Sequence, residues 1–486
     1  MISPTVTPVS VMLSNRWAVF SCSPEIQIRL REILSFEHPN RNFIVSFRDG
    51  QWDGHVSFFQ RSRCSSGLFL EKREEIEKEF SLQITDVRIP LKFHEIQDEK
   101  SREYQNESVD AMIQASRTGG LLINSTGSGK TRIAGIFFKR LEGTACFIVD
   151  ELTLLEQTRR AFMEVLEEPV GVVGHSEFHP KRITVATIQT LHKHRHRPEF
   201  KRWFPKIDVL VIDEVHIALN KRNLDVIQQI RPKAVFGLTA TLQIEKPEIR
   251  IPATALCGPV IYSYPIREGV AEGYLSKGRI ICLQFPDPLK GVAPGYWSVS
   301  GKEKLWIPPG SPAAQYRYHI CLNKQRNDCI EALVREGLKQ GRKIIVLVEH
   351  KVHLAVLDQR LKDVNHYSLS GEVNTEVRLQ AMRDMDEGKC NLILASRVFS
   401  HGVDIKKVNM LLDCTGAPSR NAAIQRYGRG VRLSSDKVLL YIDVSDVGNK
   451  FEFSARLRKK ALMETGAPIT NCFWEGDASV VFKEFL

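Results

Sequence analysis

No apolar run in this 486-residue chain approaches the ~18 residues that a membrane-spanning helix needs, so no membrane partner is expected. The first residues have neither the charged start nor the apolar centre of a secretory signal, which makes a cytoplasmic location the expectation. Paired cysteines are also missing. The 10 cysteines contain no C-x-x-C, and the nearest two, Cys321 and Cys329, stand eight apart, a spacing no common zinc site uses. They read as reduced thiols, several of them in strands, such as Cys146 and Cys282, and not as a disulfide framework. Solenoid repeats and low-complexity tracts are absent, so a repeat array is excluded. Acid is in the minority, with 57 Asp and Glu against 68 Lys and Arg, for a net charge of +11. A basic balance suits a polyanion, most commonly nucleic acid, although a merely soluble basic protein has the same composition.

What the chain does have is hydrophobic content of 43%, ample for large cores, and a length that suggests about three domains. Short Val- and Ile-rich runs alternate with helical patterns from about residue 100 onward. Among them are Cys146–Val149, Val209–Ile212, Ile344–Val348, Leu392–Leu394 and Val438–Ile442. Such runs predict buried parallel strands in α/β domains, which bind ligands at the carboxyl ends of their strands. The series occurs twice, over 96–270 and over 321–486. Between them, 271–320 reads as a linker rich in Pro, Gly and aromatics, with Trp297 to Trp306 able to form a hairpin turning near Gly301. Residues 1–95 mix short strands with one charged helix and read as a small separate α+β domain.

Residues 124–131 read Asn-Ser-Thr-Gly-Ser-Gly-Lys-Thr directly after the apolar run Leu121-Leu122-Ile123. This is a phosphate-binding loop whose first position carries Asn124 where the strict pattern has glycine. Thr126, Gly127, Ser128 and Gly129 let backbone N–H groups curl around phosphates, and the next helix adds its positive end. Lys130 can reach the β- and γ-phosphates of ATP, and the Thr131 hydroxyl can ligate Mg²⁺. Asp213-Glu214-Val215-His216 follows the run Val209–Ile212. Asp213 is the second metal candidate, Glu214 can deprotonate the attacking water, and His216 can report on the γ-phosphate. Tyr104-Gln105 lies about twenty residues before the loop, where a glutamine amide can read adenine N6 and N7.

In the second series, Gln425, Arg429 and Arg432 fall in Gln425-Arg426-Tyr427-Gly428-Arg429-Gly430-Val431-Arg432. On a helix, Arg429 and Arg432 would share a face and could stabilise a transferring phosphoryl group as an arginine finger. Ser396 follows the run Leu392–Leu394 and suits a nucleic-acid backbone. Gly402 and Asp404 suit the nucleotide sugar or Arg429. The basic stretch with Lys193, Arg195 and Arg197 is either a strand contact or a solvated loop.

In order, Tyr104-Gln105, Ser125–Thr131, Val185–Thr190, Asp213–His216, Thr239–Thr241, Ser396–Asp404 and Gln425–Arg432 resemble the motif series of superfamily 2 helicases. The resemblance implies two tandem RecA-like parallel-sheet domains, with ATP and Mg²⁺ held between them. It also implies a grip on the sugar–phosphate backbone of one strand, with Thr187, Gln189 and Ser396 as contacts. Ser125 stands where many relatives have proline, a change that removes no group needed to hold phosphate. A narrower resemblance, to phage UvsW-type recombination helicases, lies in Phe47–Val56 and Ser370–Arg378. It implies that 1–95 is an accessory DNA-binding domain and that the substrate is branched DNA, in a bacterial or phage-infected host cytoplasm. Arg48 and Trp52, or Trp297 and Trp306 in 271–320, are then candidates for stacking on a base at a junction. Trp52 in a small core is the alternative reading of that turn. A monomer is expected, because two such domains complete one ATP site. Protein partners are not identified, and a double-stranded DNA translocase without unwinding, or an RNA helicase, is the alternative function.

Overall fold

The computed structural model describes residues 8–96, 98–150, 152–240, 246–289, 291–300, 303–396, 407–416, 419–431 and 438–483. It separates into two units, Met1–Tyr264 and Pro265–Leu486. Among the described residues no helix is long and apolar enough to cross a membrane.

The first unit begins with a four-stranded sheet. Its central strand Pro8–Leu13 runs antiparallel to Trp17–Ser21 and parallel to Ser81–Asp86. Val9, Val11 and Leu13 alternate inward, the period a half-covered strand requires. The helices Pro24–Ile33 and Ser66–Glu77 contribute Leu30, Leu68, Phe69 and Ile76 to the same small core. Ile251, from a helix late in the unit (Pro247–Cys257), belongs to that core as well. At this seam a Cβ on Gly67 would stand 2.6 Å from both Gly258 Cα and the Thr254 carbonyl oxygen, so the two helices meet backbone to backbone. Thr254 Oγ1 donates to Glu71 at 2.8 Å across it.

The large sheet of this unit has eight strands. Ala145–Val149, Val209–Asp213, Ala234–Thr239 and Gly119–Asn124 lie side by side and parallel at its centre. Only the edge pair Gly171–Gly174 and Glu177–His179 is antiparallel. Neighbouring residues feed opposite faces: Phe147, Val211 and Phe236 enter one core, while Ile148, Ile212 and Leu121 enter the other. A sheet covered on both faces explains why these strands read as unbroken apolar runs.

The second unit holds a seven-stranded sheet in which every pairing is parallel. One of its inner strands is Gly278–Pro286, inside the stretch the sequence presents as a linker. It pairs along its whole length with Leu439–Val447, from Gly278 opposite Leu439 to Pro286 opposite Val447. The Pro- and Gly-rich composition downstream of Pro286 hides it. Beyond it, Tyr296–Ser300 and Glu303–Ile307 form the antiparallel pair expected there, with Trp297 opposite Trp306. The turn at 301–302 lies outside the described residues.

Buried ion pairs tie the second sheet to its helices. Arg458 donates to Asp443 at 2.7 Å and Arg326 to Asp446 at 2.7 Å, all four side chains being sealed from solvent. Each carboxylate projects from the strand Leu439–Val447, and each arginine from a helix packed on it.

Candidate functional site

The phosphate loop leaves the carboxyl end of the strand Gly119–Asn124 and enters the helix Lys130–Arg140. Gly127 and Gly129 have φ of 89° and 82°, the left-handed region that a curled loop needs and that glycine reaches without strain. A Cβ on Gly129 would also stand 2.7 Å from Gln105 Nε2. Asn124, the departure from the strict pattern, has a local purpose. Its amide donates to Ser108 Oγ at 3.0 Å, and Ser108 donates to the Tyr104 carbonyl at 2.7 Å. The start of the loop is thus tied to the helix Glu103–Gln114. The Ser125 N–H reaches the Tyr264 carbonyl at 2.9 Å, and the Tyr264 ring stacks on Tyr104 with centroids 3.9 Å apart.

Tyr104 and Gln105 are buried and aimed at the loop. The Tyr104 hydroxyl donates to the Ser128 carbonyl at 2.7 Å, and the Gln105 amide donates to the same oxygen at 3.0 Å. Gln105 Oε1 meanwhile accepts from the Arg102 N–H at 3.1 Å. Both residues therefore hold the loop, and the adenine contact expected of the Gln105 amide stands as a proposal beside that role.

Lys130 brings the two halves of the site together. Its ammonium donates to the Asn124 carbonyl at 3.3 Å and stands 3.8 Å from Glu214 Oε1. Glu214 follows the strand Val209–Asp213 with φ 50° and ψ 65°, a left-handed conformation that is costly for a residue with a side chain. Its other carboxylate oxygen accepts from Thr239 Oγ1 at 3.1 Å and lies 3.6 Å from His216 Nδ1. Asp213 ends its strand one residue earlier. Thr241, which completes the Thr239–Thr241 motif, lies outside the described residues.

The loop fits a phosphate chain. The hydroxyl oxygens of Ser125 and Ser128 are buried with no hydrogen-bond partner, a costly state that a triphosphate would relieve. The Thr131 hydroxyl and the Asp213 carboxylate are hard oxygen donors of the kind Mg²⁺ takes. Among the described residues no group of three or more His, Cys, Asp or Glu side chains forms a protein-only metal site.

In the second unit, Gln425 and Arg429 lie four apart on the helix Arg420–Gly430 and share a face. Arg426, to which the sequence assigns no role, turns inward. It donates to Asp413 Oδ2 at 2.8 Å and to Thr415 Oγ1 at 3.0 Å. Only an acidic strand end could have signalled this, and Asp413 stands in such a position. The helix ends at Gly430, and Arg432, Gly402 and Asp404 lie outside the described residues. Ser396 is buried, its N–H on the Leu369 carbonyl at 3.0 Å.

The expected nucleic-acid contacts are scattered. Thr187 is buried and caps the helix Ile188–His194, its hydroxyl 2.8 Å from that of Thr190. Gln189 donates to Asp150 at 2.9 Å. Lys193 and Arg197 are exposed, Arg197 standing 3.9 Å from Glu199, while Arg195 turns back onto the His192 carbonyl. Arg48 is exposed. Trp52 is half-buried outside the small core, donates its indole N–H to the His55 carbonyl at 2.9 Å and packs edge-on against His38 and Phe47. Trp297 and Trp306 remain 63% and 46% exposed with centroids 5.3 Å apart.

Known proteins share this arrangement. The model for the type III restriction enzyme res subunit matches residues 98–244, and that for the helicase conserved C-terminal domain matches residues 325–434. With the two domains in this order, the chain is a superfamily 2 helicase, an ATP-hydrolysing enzyme class built on paired parallel-sheet domains. A DNA 3'-5' translocase XPB2 of Sulfurisphaera tokodaii is 27% identical over 80% of this chain and 90% of its own length. The ATP-dependent DNA helicase uvsW of Enterobacteria phage T4 is 24% identical over 90% of each. Among solved structures, a putative HsdR subunit fragment of a type I restriction enzyme from Vibrio vulnificus covers 79% of this chain and 70% of its own. Its TM-score is 0.55 at 17% identity, a likeness of fold.

Proposed function

We propose that the chain is an ATP-driven DNA helicase that unwinds or branch-migrates branched DNA, such as Holliday junctions, forks and D-loops, in recombination, repair or replication. The observation that carries its ATP chemistry is the meeting of Lys130 and Glu214, 3.8 Å apart at the carboxyl edge of one parallel sheet. Branched DNA is suggested by the resemblance of Phe47–Val56 and Ser370–Arg378 to phage recombination helicases, and DNA-helicase action by the uvsW relative, which aligns with 90% of the chain. The net charge of +11 suits the same partner.

In this reading the phosphate loop holds the triphosphate, with Lys130 against its terminal oxygens. Thr131 and Asp213 would hold Mg²⁺, which would supply charge neutralisation at the phosphates. Glu214 takes the proton of the attacking water, and Thr239 and His216 keep its carboxylate oriented. Gln425 and Arg429, on one face of the helix Arg420–Gly430, are proposed to bind nucleotide phosphate. The exposed pair Trp297 and Trp306 is the strand-separating element, and Lys193, Arg197 and Arg48 hold backbone phosphates. A monomer suffices. A double-stranded DNA translocase that separates no strands is the second reading, favoured by the similarity to the archaeal translocase.

The test is ATP hydrolysis with and without DNA in the wild type and in Glu214→Gln. The variant should lose at least ~100-fold in turnover while retaining nucleotide binding. Persisting hydrolysis would remove Glu214 from the role of base.

A further inference from the structure

A cavity of 770 Å³ lies within the first unit, between the accessory sheet and the motor sheet. Its floor is apolar, with Val235, Ile227 and Cys257 among the lining, and its mouth carries Arg16, Trp17, Arg61 and Arg63. Thr118 and Val235, also in the lining, stand at the amino ends of the strands Gly119–Asn124 and Ala234–Thr239. The cavity therefore opens on the edge of the sheet opposite the phosphate loop. It is of the size that takes a small organic ligand.

The mouth is cationic and aromatic together. The Arg63 guanidinium lies 4.4 Å from the centroid of the Trp17 ring and that of Arg16 lies 5.8 Å from it. Among the described residues no carboxylate is ion-paired with Arg16, Arg61 or Arg63. Arg16 reaches only the Gln228 carbonyl, at 3.3 Å. Lys233 in the lining is already held by Asp208 at 2.8 Å, and Asp225 is the acid that lines the cavity. Burial, followed by the like charges of Arg231 and Arg63, pushes the pKa of Arg16 down, the mark of positive charge gathered without a counter-charge.

The backbone bears a cost to keep Arg61 here. Gln60 and Arg63 exchange backbone hydrogen bonds of 2.9 and 3.1 Å, which leaves Arg61 and Ser62 as the two central residues of a hairpin turn. Both have positive φ, 52° and 55°. Such a turn is best made by Asn-Gly, and residues with ordinary side chains form it only with strain. Local strain held by its surroundings is a reason to ask for a function.

We propose that this cavity binds a nucleoside phosphate, with its base on Trp17 and the apolar floor and its phosphate on Arg16, Arg61 and Arg63. Aromatic stacking under a base and paired guanidiniums on a phosphate are the chemistry that recognises this class. The unit can come from a nucleic-acid strand or from a free nucleotide. If from a strand, the inference deepens the reading of the chain as a DNA motor and rests on it.

The experiment uses the full chain with ADP filling the phosphate-loop site. A fluorescein-labelled single-stranded DNA 12-mer is titrated by anisotropy against the wild type and against the double variant Arg61→Asn with Ser62→Gly. That variant suits the turn, so it should melt at a higher temperature than the wild type while binding the 12-mer at least ~5-fold more weakly. The slope of log affinity against log salt should become shallower by about 0.7, because one guanidinium fewer neutralises a phosphate. Competition by dAMP that the variant abolishes assigns a free nucleotide as ligand, and 12-mer binding that the variant weakens but dAMP does not compete assigns a strand; 12-mer binding insensitive to both belongs to the motor surface and counts against the cavity. Cross-linking through 5-iododeoxyuridine in the 12-mer should map to Trp17. Unchanged affinity and salt slope in a variant that melts higher, or cross-links that map only elsewhere, would overturn the proposal. DNA stimulation of ATPase is read on the same wild-type sample. If stimulation is present while the variant binds normally, only the cavity fails; if it is absent, the motor reading fails by itself.

Discussion

Asp413 is fully buried at the end of the strand Met410–Asp413 and remains ionised. Burial alone would raise its pKa, but the Arg426 and Arg458 guanidiniums and the hydroxyls of Thr415 and Tyr441 outweigh it. They hold the carboxyl well below the usual range. A carboxyl depressed in the folded state binds its proton first in the unfolded state. Its contribution to stability is therefore complete above the unfolded pKa of about 3.9 and is lost as pH falls toward the lower folded value. Asp413→Asn should weaken the fold at pH 7 by about 3 kcal/mol, because the buried Arg426 then loses its nearer counter-charge and keeps only Glu349, 4.0 Å away. It should also lose less further stability between pH 6 and pH 3 than the wild type does. Urea midpoints at the two pH values check this, and equal acid losses in both proteins would contradict it. At this scale the sequence disclosed what chemistry ties to fixed spacing, such as Gly127, Gly129 and Lys130. It could not disclose partners set by tertiary packing. Gln105 is a holder of the loop because Ser128, 23 positions away, folds beneath it, and nothing local marks that.

Among the elements, the paired strands Tyr296–Ser300 and Glu303–Ile307 were legible because two tryptophans stand symmetrically in sequence about Gly301-Lys302. The strand Gly278–Pro286 was not, because its apolar core Ile280–Leu283 runs straight into Pro286 and Pro288, and composition there reads as linker. Its place in the sheet comes from a partner strand more than 150 residues later, Leu439–Val447, beyond the reach of local pattern. The parallel strands of both motor sheets were readable for the opposite reason. Burial on both faces leaves an unbroken apolar run, as in Val209–Ile212 and Ile344–Leu347. The exposed Trp297 and Trp306 contribute little to a core, so removing either should cost little stability. Trp297→Ala should reduce strand separation at least ~5-fold while DNA-stimulated ATP hydrolysis stays within about twofold, given stacking of roughly 1–3 kcal/mol per base. Parallel loss of both activities would assign the hairpin a structural role only.

At the scale of the molecule, the chain divides its labour between two units. One carries the phosphate loop, the carboxylate that faces Lys130 and an accessory sheet fused to the motor by the close approach at Gly67. The other carries the arginine-bearing helix Arg420–Gly430 on a fully parallel sheet braced by buried ion pairs. The ordered motifs made the helicase class legible from sequence. The seam between the accessory and motor sheets was not, since Gly67 and Gly258 are unremarkable glycines until the fold brings them together. ATP-driven work on branched DNA is tested by measuring ATP hydrolysis and strand separation side by side. The substrates are a Holliday junction, a fork, linear duplex and the matched RNA. Junction and fork should stimulate hydrolysis and be resolved, while RNA does neither. Stimulation by linear duplex with no strands separated from any substrate would contradict it and leave a double-stranded translocase.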